Sequence, residues 1–156
     1  MNWRLAKARL SALLHEATSP HVVAASWACG VAIGLSPFLG LHTALALVLS
    51  LALRLNKLDV LLGTLIVNPW TMAPYFLAAV SLGGRITGKP IPFLPELPPP
   101  ASLWDRSFWQ AQEAFLAPLL VNWLVGASTF AGAGGAVVYF SLRYFLARRR
   151  KARAAP

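Results

Sequence analysis

The sequence has 156 residues, of which 57% are hydrophobic and only 12% are charged. Soluble domains carry about 25% charged residues, so this composition excludes an ordinary soluble protein, and the length favours a single domain. The net charge of +9 does not indicate a nucleic-acid partner. The basic residues instead flank long apolar blocks, as the positive-inside rule describes. We therefore predict an all-α integral membrane protein.

Residues 1–18 are predicted to form an amphipathic helix on the membrane surface. Leu10 and Leu13 recur at helical spacing, whereas Arg4 and Lys7 lie largely elsewhere. The segment lacks the apolar stretch of a cleaved signal peptide, so we expect the N-terminus to be retained.

The first apolar block, Val22–Leu53, contains a proline that a continuous helix does not tolerate. Pro37 removes a backbone hydrogen bond and clashes with the preceding turn. We expect two helical pieces with a corner around Ser36–Gly40. Just before the block, Ser19 can cap the first piece, and Pro20 suits its first turn.

A face of small residues lies on the first of these pieces. Its members are spaced four residues apart, so they share one side of a helix. Such a face lets another helix approach closely. The predicted packing residues are Ser26, Gly30 and Gly34.

The second apolar block, Leu58–Gly84, has a break of the same kind. Asn68-Pro69-Trp70 repeats the pattern of Ser36-Pro37-Phe38, in which a small polar residue, a proline and an aromatic residue follow one another. An internal duplication is one explanation of this match. Non-helical backbone at membrane depth must be buried in protein or line a water-filled cavity. We therefore expect the two breaks to face each other or a cavity.

The chain divides by composition into five parts. After the surface helix come a membrane domain with two broken segments (19–88), a proline-rich loop (89–114), a transmembrane helix (115–147) and a basic cytoplasmic tail (148–156). Basic residues near a membrane attract anionic head groups. The predicted lipid contacts are Arg148, Arg149, Arg150 and Lys151.

Charge distribution predicts a multi-pass topology with both termini in the cytoplasm. Arg54–Lys57 is a short basic turn and prefers the inside, whereas the polar region Gly84–Glu113 has three basic and three acidic residues and suits the outside. The favoured arrangement has the first block entering and returning, the second crossing outward and the last crossing back. The competing arrangement makes hairpins of both blocks, which places a basic terminus outside.

Catalysis and cofactor chemistry have no support in the sequence. Cys29 is the only cysteine, and the three histidines lack metal-ligand spacing. We expect no enzyme activity, no metal and no cofactor. Asp59 is interpreted as a favourable charge at a helix start, paired with Arg54 or Lys57.

Polar residues inside the apolar blocks are the candidate functional residues, because such residues in membranes are functional hypotheses by default. His42 can exchange a proton near neutral pH, or it can cap the broken backbone of the second block. Asn68 can supply a local hydrogen bond, and Asn122 can bond to a neighbouring helix. The residues predicted to line a polar path at the breaks are Ser36, Pro37, His42, Thr43, Asn68, Pro69 and Thr71.

The stretch from Ser19 to Gly88 resembles a family of small bacterial integral membrane proteins known only as a domain of unknown function. The resemblance implies the bacterial inner membrane as the location, and it implies no activity. The matching positions are Ser19-Pro20, Gly30, Gly34, Pro37-Phe38, Gly40, His42-Thr43, Arg54–Lys57, Gly63-Thr64, Asn68-Pro69, Thr71-Met72 and Pro74-Tyr75.

Two hypotheses for function follow. The first is a small transporter-like or lipid-translocating protein, because paired broken segments indicate a midplane binding site in secondary transporters. With so few spans, such a path requires a homo-oligomer. The second is a non-catalytic scaffold or accessory subunit that binds a membrane partner protein.

Overall fold

The computed structural model describes residues 19–38, 40–89 and 106–154, and all regular structure in these residues is helical. The all-α prediction is confirmed to this extent. The predicted surface helix (1–18) and most of the proline-rich loop lie outside the described residues. The helices are α1 (Pro20–Gly34), α2 (His42–Ala52), α3 (Lys57–Thr64), α4 (Pro69–Thr87) and α5 (Arg106–Ala154).

Both apolar blocks are broken at the predicted places. The first block stops at Gly34 and resumes as a helix at His42, and the second stops at Thr64 and resumes at Pro69. Pro37 lies within the first gap, and Pro69 occupies the first position of the resumed helix, where its missing N–H costs nothing. Pro74 and Pro118 lie inside α4 and α5, so proline contributes to the breaks together with the residues around it. The prediction of two proline-broken segments is confirmed.

The last helix is longer than predicted at both ends. α5 has 49 residues and begins at Arg106, so residues 106–114 of the predicted loop are helical, as are residues 148–154 of the predicted tail. The prediction followed the apolar block, which covers only the middle of the helix. The flanking Gln, Ala, Glu, Arg and Lys residues are good helix formers, and the prolines of the loop all precede Arg106.

Within α5, Leu116–Arg150 forms a stretch of 35 residues that is long and apolar enough to cross a membrane. α3 and α4 provide a second candidate if their bent pair counts as one span. α1 and α2 have 15 and 11 residues, fewer than the ~20 that a spanning helix needs. Val137 and Phe140 on α5 are 65% and 66% exposed. Large apolar side chains with this exposure are typical of a surface that contacts a membrane or another protein.

The described helices divide into two compact units. Unit 1 contains α1, α2, α3 and the part of α5 from Ala131 on, and its core is formed by Ile33, Ala46 and Val60. Unit 2 contains α4, the part of α5 up to Phe130 and residues Leu35–Pro37. The last three residues belong to the first helix break.

In unit 1, the turn between α2 and α3 closes the end of α2 by the Schellman pattern. The Leu55 N–H donates to the Ser50 carbonyl at 2.8 Å, and the Arg54 N–H donates to the Leu51 carbonyl at 3.3 Å. Arg54 has a φ of 54°, which is the left-handed conformation that glycine usually adopts at this position. An arginine therefore occupies a backbone position that favours glycine.

In unit 2, α4 and α5 run antiparallel. Phe76 packs on Trp123 with ring centroids 6.1 Å apart, and Tyr75 packs on Phe130 at 5.9 Å. A Cβ added to Gly83 would lie 1.7 Å from the Asn122 carbonyl oxygen. The helices can approach this closely only because a glycine stands at the crossing.

Candidate functional site at the two helix breaks

The first break, residues 35–41, obtains a hydrogen-bond donor from another helix. A break leaves the last carbonyl groups of α1 without helical partners. The Tyr75 hydroxyl of α4 donates to the carbonyl oxygen of Leu35, the first residue after α1. Pro37 is buried, Ser36 is half-buried and Phe38 is exposed. The break is thus partly closed by a side chain that arrives from the second broken segment.

Sequence reasoning did not select Tyr75 as a candidate residue. Its hydroxyl lies in an apolar stretch, and a tyrosine hydroxyl in such a setting usually requires a hydrogen-bond partner. This requirement could have identified Tyr75 as a candidate residue from the sequence. The partner is forty positions away in the sequence, so only the packing of α4 could identify it.

The second break is closed by its own residues. The Asn68 side chain accepts hydrogen bonds from the backbone N–H groups of Trp70 at 3.0 Å and Thr71 at 3.1 Å. The Thr71 hydroxyl in turn accepts from the Asn68 N–H at 3.0 Å. This reciprocal pair is a capping box, and Pro69 occupies the first helical position. Asn68 and Thr71 therefore use their polar groups to start α4.

His42 is the candidate residue whose polar group is not used in this way. It is half-buried and opens α2, where the N-cap residue Leu41 has no side-chain acceptor. Its Nε2 atom is buried and makes no hydrogen bond within the described part of the chain. Its neighbour Thr43 is exposed. A buried ring nitrogen without a partner requires an explanation, such as a water molecule or a ligand.

Asn122 forms the expected bond to a neighbouring helix. It is fully buried on α5, and its Oδ1 atom accepts a hydrogen bond from the Thr87 hydroxyl of α4 at 2.7 Å. Its Nδ2 atom is buried and makes no hydrogen bond in the residues that the structure describes. The tight glycine crossing beside it leaves this polar pair in a closely packed environment.

The predicted small-residue face packs on α3. The Ser26 hydroxyl accepts from the Asn56 N–H at 2.9 Å, and it donates to the Val22 carbonyl at 2.7 Å. A Cβ on Gly30 would meet the Val60 carbonyl oxygen at 2.2 Å, and one on Gly34 would meet the Thr64 carbonyl oxygen at 2.7 Å. All three residues thus face the same helix.

The remaining candidates are charged residues of unit 1. Asp59 lies in the first turn of α3 and is only 3% exposed, whereas Arg54 and Lys57 are exposed. An acid in the first turn of a helix interacts favourably with the helix dipole. Arg148, Arg149 and Arg150 are exposed on α5, and the side chain of Lys151 lies outside the described residues.

Metal binding has no support in the described residues. They contain no group of three or more His, Cys, Asp or Glu side chains that could hold a metal ion. Cys29 is half-buried on α1 and forms no disulfide.

Comparison with known proteins identifies a family for nearly the whole chain. A family model described as an uncharacterized protein conserved in bacteria, DUF2062, matches residues 3–155. No curated protein and no solved structure matches the chain. The match extends well beyond the stretch that carries the sequence resemblance, since it includes the whole of α5. The chain therefore belongs to DUF2062, an uncharacterized bacterial family.

Proposed function

We propose that this protein is a small transporter-like or lipid-translocating protein of the bacterial inner membrane, with a polar path at the helix breaks. The observation that carries the proposal is the buried Nε2 atom of His42, which makes no hydrogen bond within the described residues. An ionisable residue at membrane depth is costly, so such a residue is a functional-site hypothesis by default. A ring nitrogen that is available beside a helix break can bind a solute, a head group or a proton.

The lengths of α1 and α2 support a re-entrant hairpin. At about 1.5 Å per residue, helices of 15 and 11 residues are roughly 22 Å and 16 Å long. The hydrocarbon core is about 30 Å thick. A hairpin of this size enters the membrane and returns to the same side. Its turn, residues 35–41, then lies within the membrane and brings His42 there.

A path of this kind requires more helices than one chain supplies. The described residues contain one helix that can cross a membrane, or two if the bent α3–α4 pair is counted. We therefore propose that the transporting form is a homo-oligomer. The exposed apolar side chains of α2, such as Val48 and Leu51, provide surface for lipid or for another copy.

A scaffold or accessory subunit is the second candidate, and a specific observation favours it. The capping box of Asn68 and Thr71 and the hydroxyl of Tyr75 use polar groups at both breaks for structure. Groups that are committed to backbone capping are not available to a solute. In this alternative, the breaks shape a rigid surface for a partner protein, and His42 binds that partner.

Cysteine accessibility in intact cells separates the two candidates. In a Cys29→Ala background, single cysteines would replace Thr43 at the first break and Trp70 at the second, both of which are exposed. Val137→Cys is the matched control, because this exposed side chain lies on the apolar surface of α5. A charged, water-soluble thiol reagent should label Thr43→Cys and Trp70→Cys but not Val137→Cys.

The histidine is then tested in the same cells. If a hydrated path exists, His42→Ala should change the labelling rate at Thr43→Cys more than the rate at Trp70→Cys. Breaks that are as unreactive as Val137→Cys would contradict the transport proposal. Copurification of one stoichiometric membrane protein, lost in His42→Ala, would then support the scaffold.

A further inference from the structure

One end of unit 1 collects basic residues from separate parts of the sequence. α3 runs parallel to α1, because Asn56 meets Ser26, whereas Thr64 lies at Gly34 further along both helices. The start of α3 therefore lies beside the first turns of α1. Arg54 and Lys57 flank Asn56 at this end, and both are exposed.

The C-terminal part of α5 reaches the same end from the opposite direction. Gly135 packs near Ala32, and the Tyr139 hydroxyl lies 2.7 Å from Nδ1 of His21, in the first turn of α1. Since α5 runs antiparallel to α1, its next turns extend past the start of α1. These turns carry Arg143 and Arg148. We call the set Arg54, Lys57, Arg143 and Arg148 the basic end.

The arginines of α5 are held by tyrosine rings. The Arg143 guanidinium lies 5.8 Å from the centroid of the Tyr139 ring, and it donates a hydrogen bond to the Tyr139 hydroxyl at 2.9 Å. Arg148 lies 5.0 Å from the centroid of the Tyr144 ring. Each guanidinium has five N–H donors, and Arg143 uses one of them for Tyr139. Most of its donors therefore remain able to bind an oxyanion. The planar guanidinium group is also pre-organised, so less conformational freedom is lost for each hydrogen bond to a phosphate.

Arg54 adds a charge at a backbone cost. Its left-handed φ of 54° belongs to the position after a helix end, where glycine is more stable than any residue with a Cβ. The adjacent Leu53 and Leu58 are 58% and 60% exposed. Exposed cationic groups directly beside exposed leucines match a lipid, which has a charged head group joined to acyl chains.

We propose that the basic end binds the phosphate head groups of anionic phospholipids, with the flanking leucines against the acyl chains. The exposed leucines favour a lipid over nucleic acid, which offers no acyl chains. The proposal applies whether the protein transports a solute or serves as a scaffold. It also assigns the basic end to the cytoplasmic surface, where the positive-inside rule expects these residues.

The test measures lipid binding by the purified full-length protein in a zwitterionic detergent. Phosphatidylglycerol should raise the unfolding temperature more than phosphatidylcholine at the same concentration, and added salt should reduce the difference. Each basic residue near a membrane surface contributes a factor of about five in affinity. Arg143→Gln and Lys57→Gln should each weaken phosphatidylglycerol binding by about that factor. Arg85→Gln on α4 is the matched control and should bind like the unmodified protein.

Arg54→Gly is the most informative variant, because we expect it to stabilise the fold without lipid and to weaken lipid binding. Relief of the left-handed arginine should raise the unfolding temperature without lipid, whereas loss of the charge should weaken phosphatidylglycerol binding about fivefold. Unchanged phosphatidylglycerol binding in the Arg54, Lys57 and Arg143 variants would overturn the proposal. So would equal stabilisation by free glycerol phosphate, or displacement of the lipid by an oligonucleotide. The unfolding transition without lipid shows whether each variant is folded.

Discussion

Gly30 lies so close to α3 that a Cβ atom placed on it would come within 2.2 Å of the Val60 carbonyl oxygen. The two helices meet through backbone atoms at this point. Gly63 takes part from the other side, since its own Cβ would lie 2.9 Å from the Gly30 Cα. A pair of glycines thus sets the distance between the first helix and the short helix before the second break.

Gly30→Ala should destabilise unit 1. Because the methyl group meets backbone rather than a flexible side chain, the helices must separate, at a cost of about 1–3 kcal/mol. Thermal unfolding in detergent measures the effect. Gly132→Ala on α5 is the matched control, because a Cβ there meets nothing within 4 Å. This control should be neutral or more stable by up to about 1 kcal/mol, and an equal loss in both variants would contradict the prediction.

Tyr75→Phe should destabilise the first break, because the Leu35 carbonyl loses its donor while the ring remains. A buried polar group left unsatisfied costs about 1–3 kcal/mol. Tyr144→Phe is the control, because Tyr144 is exposed and its ring still contacts Arg148 after the change. Denaturant titration in detergent should show a lower midpoint only for Tyr75→Phe. Equal midpoints would mean that solvent or another group satisfies the carbonyl.

Asn68→Ala should weaken the start of α4 by about 1 kcal/mol, because its side chain satisfies two N–H groups. Asn68→Ser should retain most of the stability, since serine is an equally good N-cap and adds no charge. Combination with Thr71→Val provides a further check. Both residues belong to one capping box, so the double variant should lose less than the sum of the single losses. Strict additivity would contradict the reciprocal arrangement.

Asn122 and Thr87 should be energetically coupled. Their 2.7 Å hydrogen bond joins α5 to α4, and such bonds in membrane proteins contribute about 0.6 kcal/mol on average and at most about 1.7. A double-mutant cycle with Asn122→Ala and Thr87→Val measures this coupling directly. Ser128→Ala, an exposed position on α5, is a suitable reference variant. A coupling energy of zero would mean that the pair contributes nothing to helix association.

The positions of the breaks could be predicted because their causes are local. Pro37 and Pro69 each follow a small polar residue, and Asn68 next to Pro69 is a cap signal that acts over three residues. Pro74 and Pro118 follow alanine and lie inside α4 and α5. The small-residue face could also be predicted from the sequence, since helical spacing alone places Ser26, Gly30 and Gly34 on one side of the helix. The start of α5 could not be predicted in this way, because residues 106–114 are of mixed polarity and form a helix without a continuous apolar block.

The sequence by itself determined that the chain is helical, apolar and broken at two prolines, since these properties depend on neighbouring residues. Only the tertiary structure decided which residues of different helices contact each other. The small face packs on α3, the Leu35 carbonyl accepts a hydrogen bond from the Tyr75 hydroxyl, and Tyr139 of α5 contacts His21 of α1. These contacts join residues that are far apart in the chain. They follow from the way in which the helices pack, and apolar surfaces of similar composition do not specify that packing in advance.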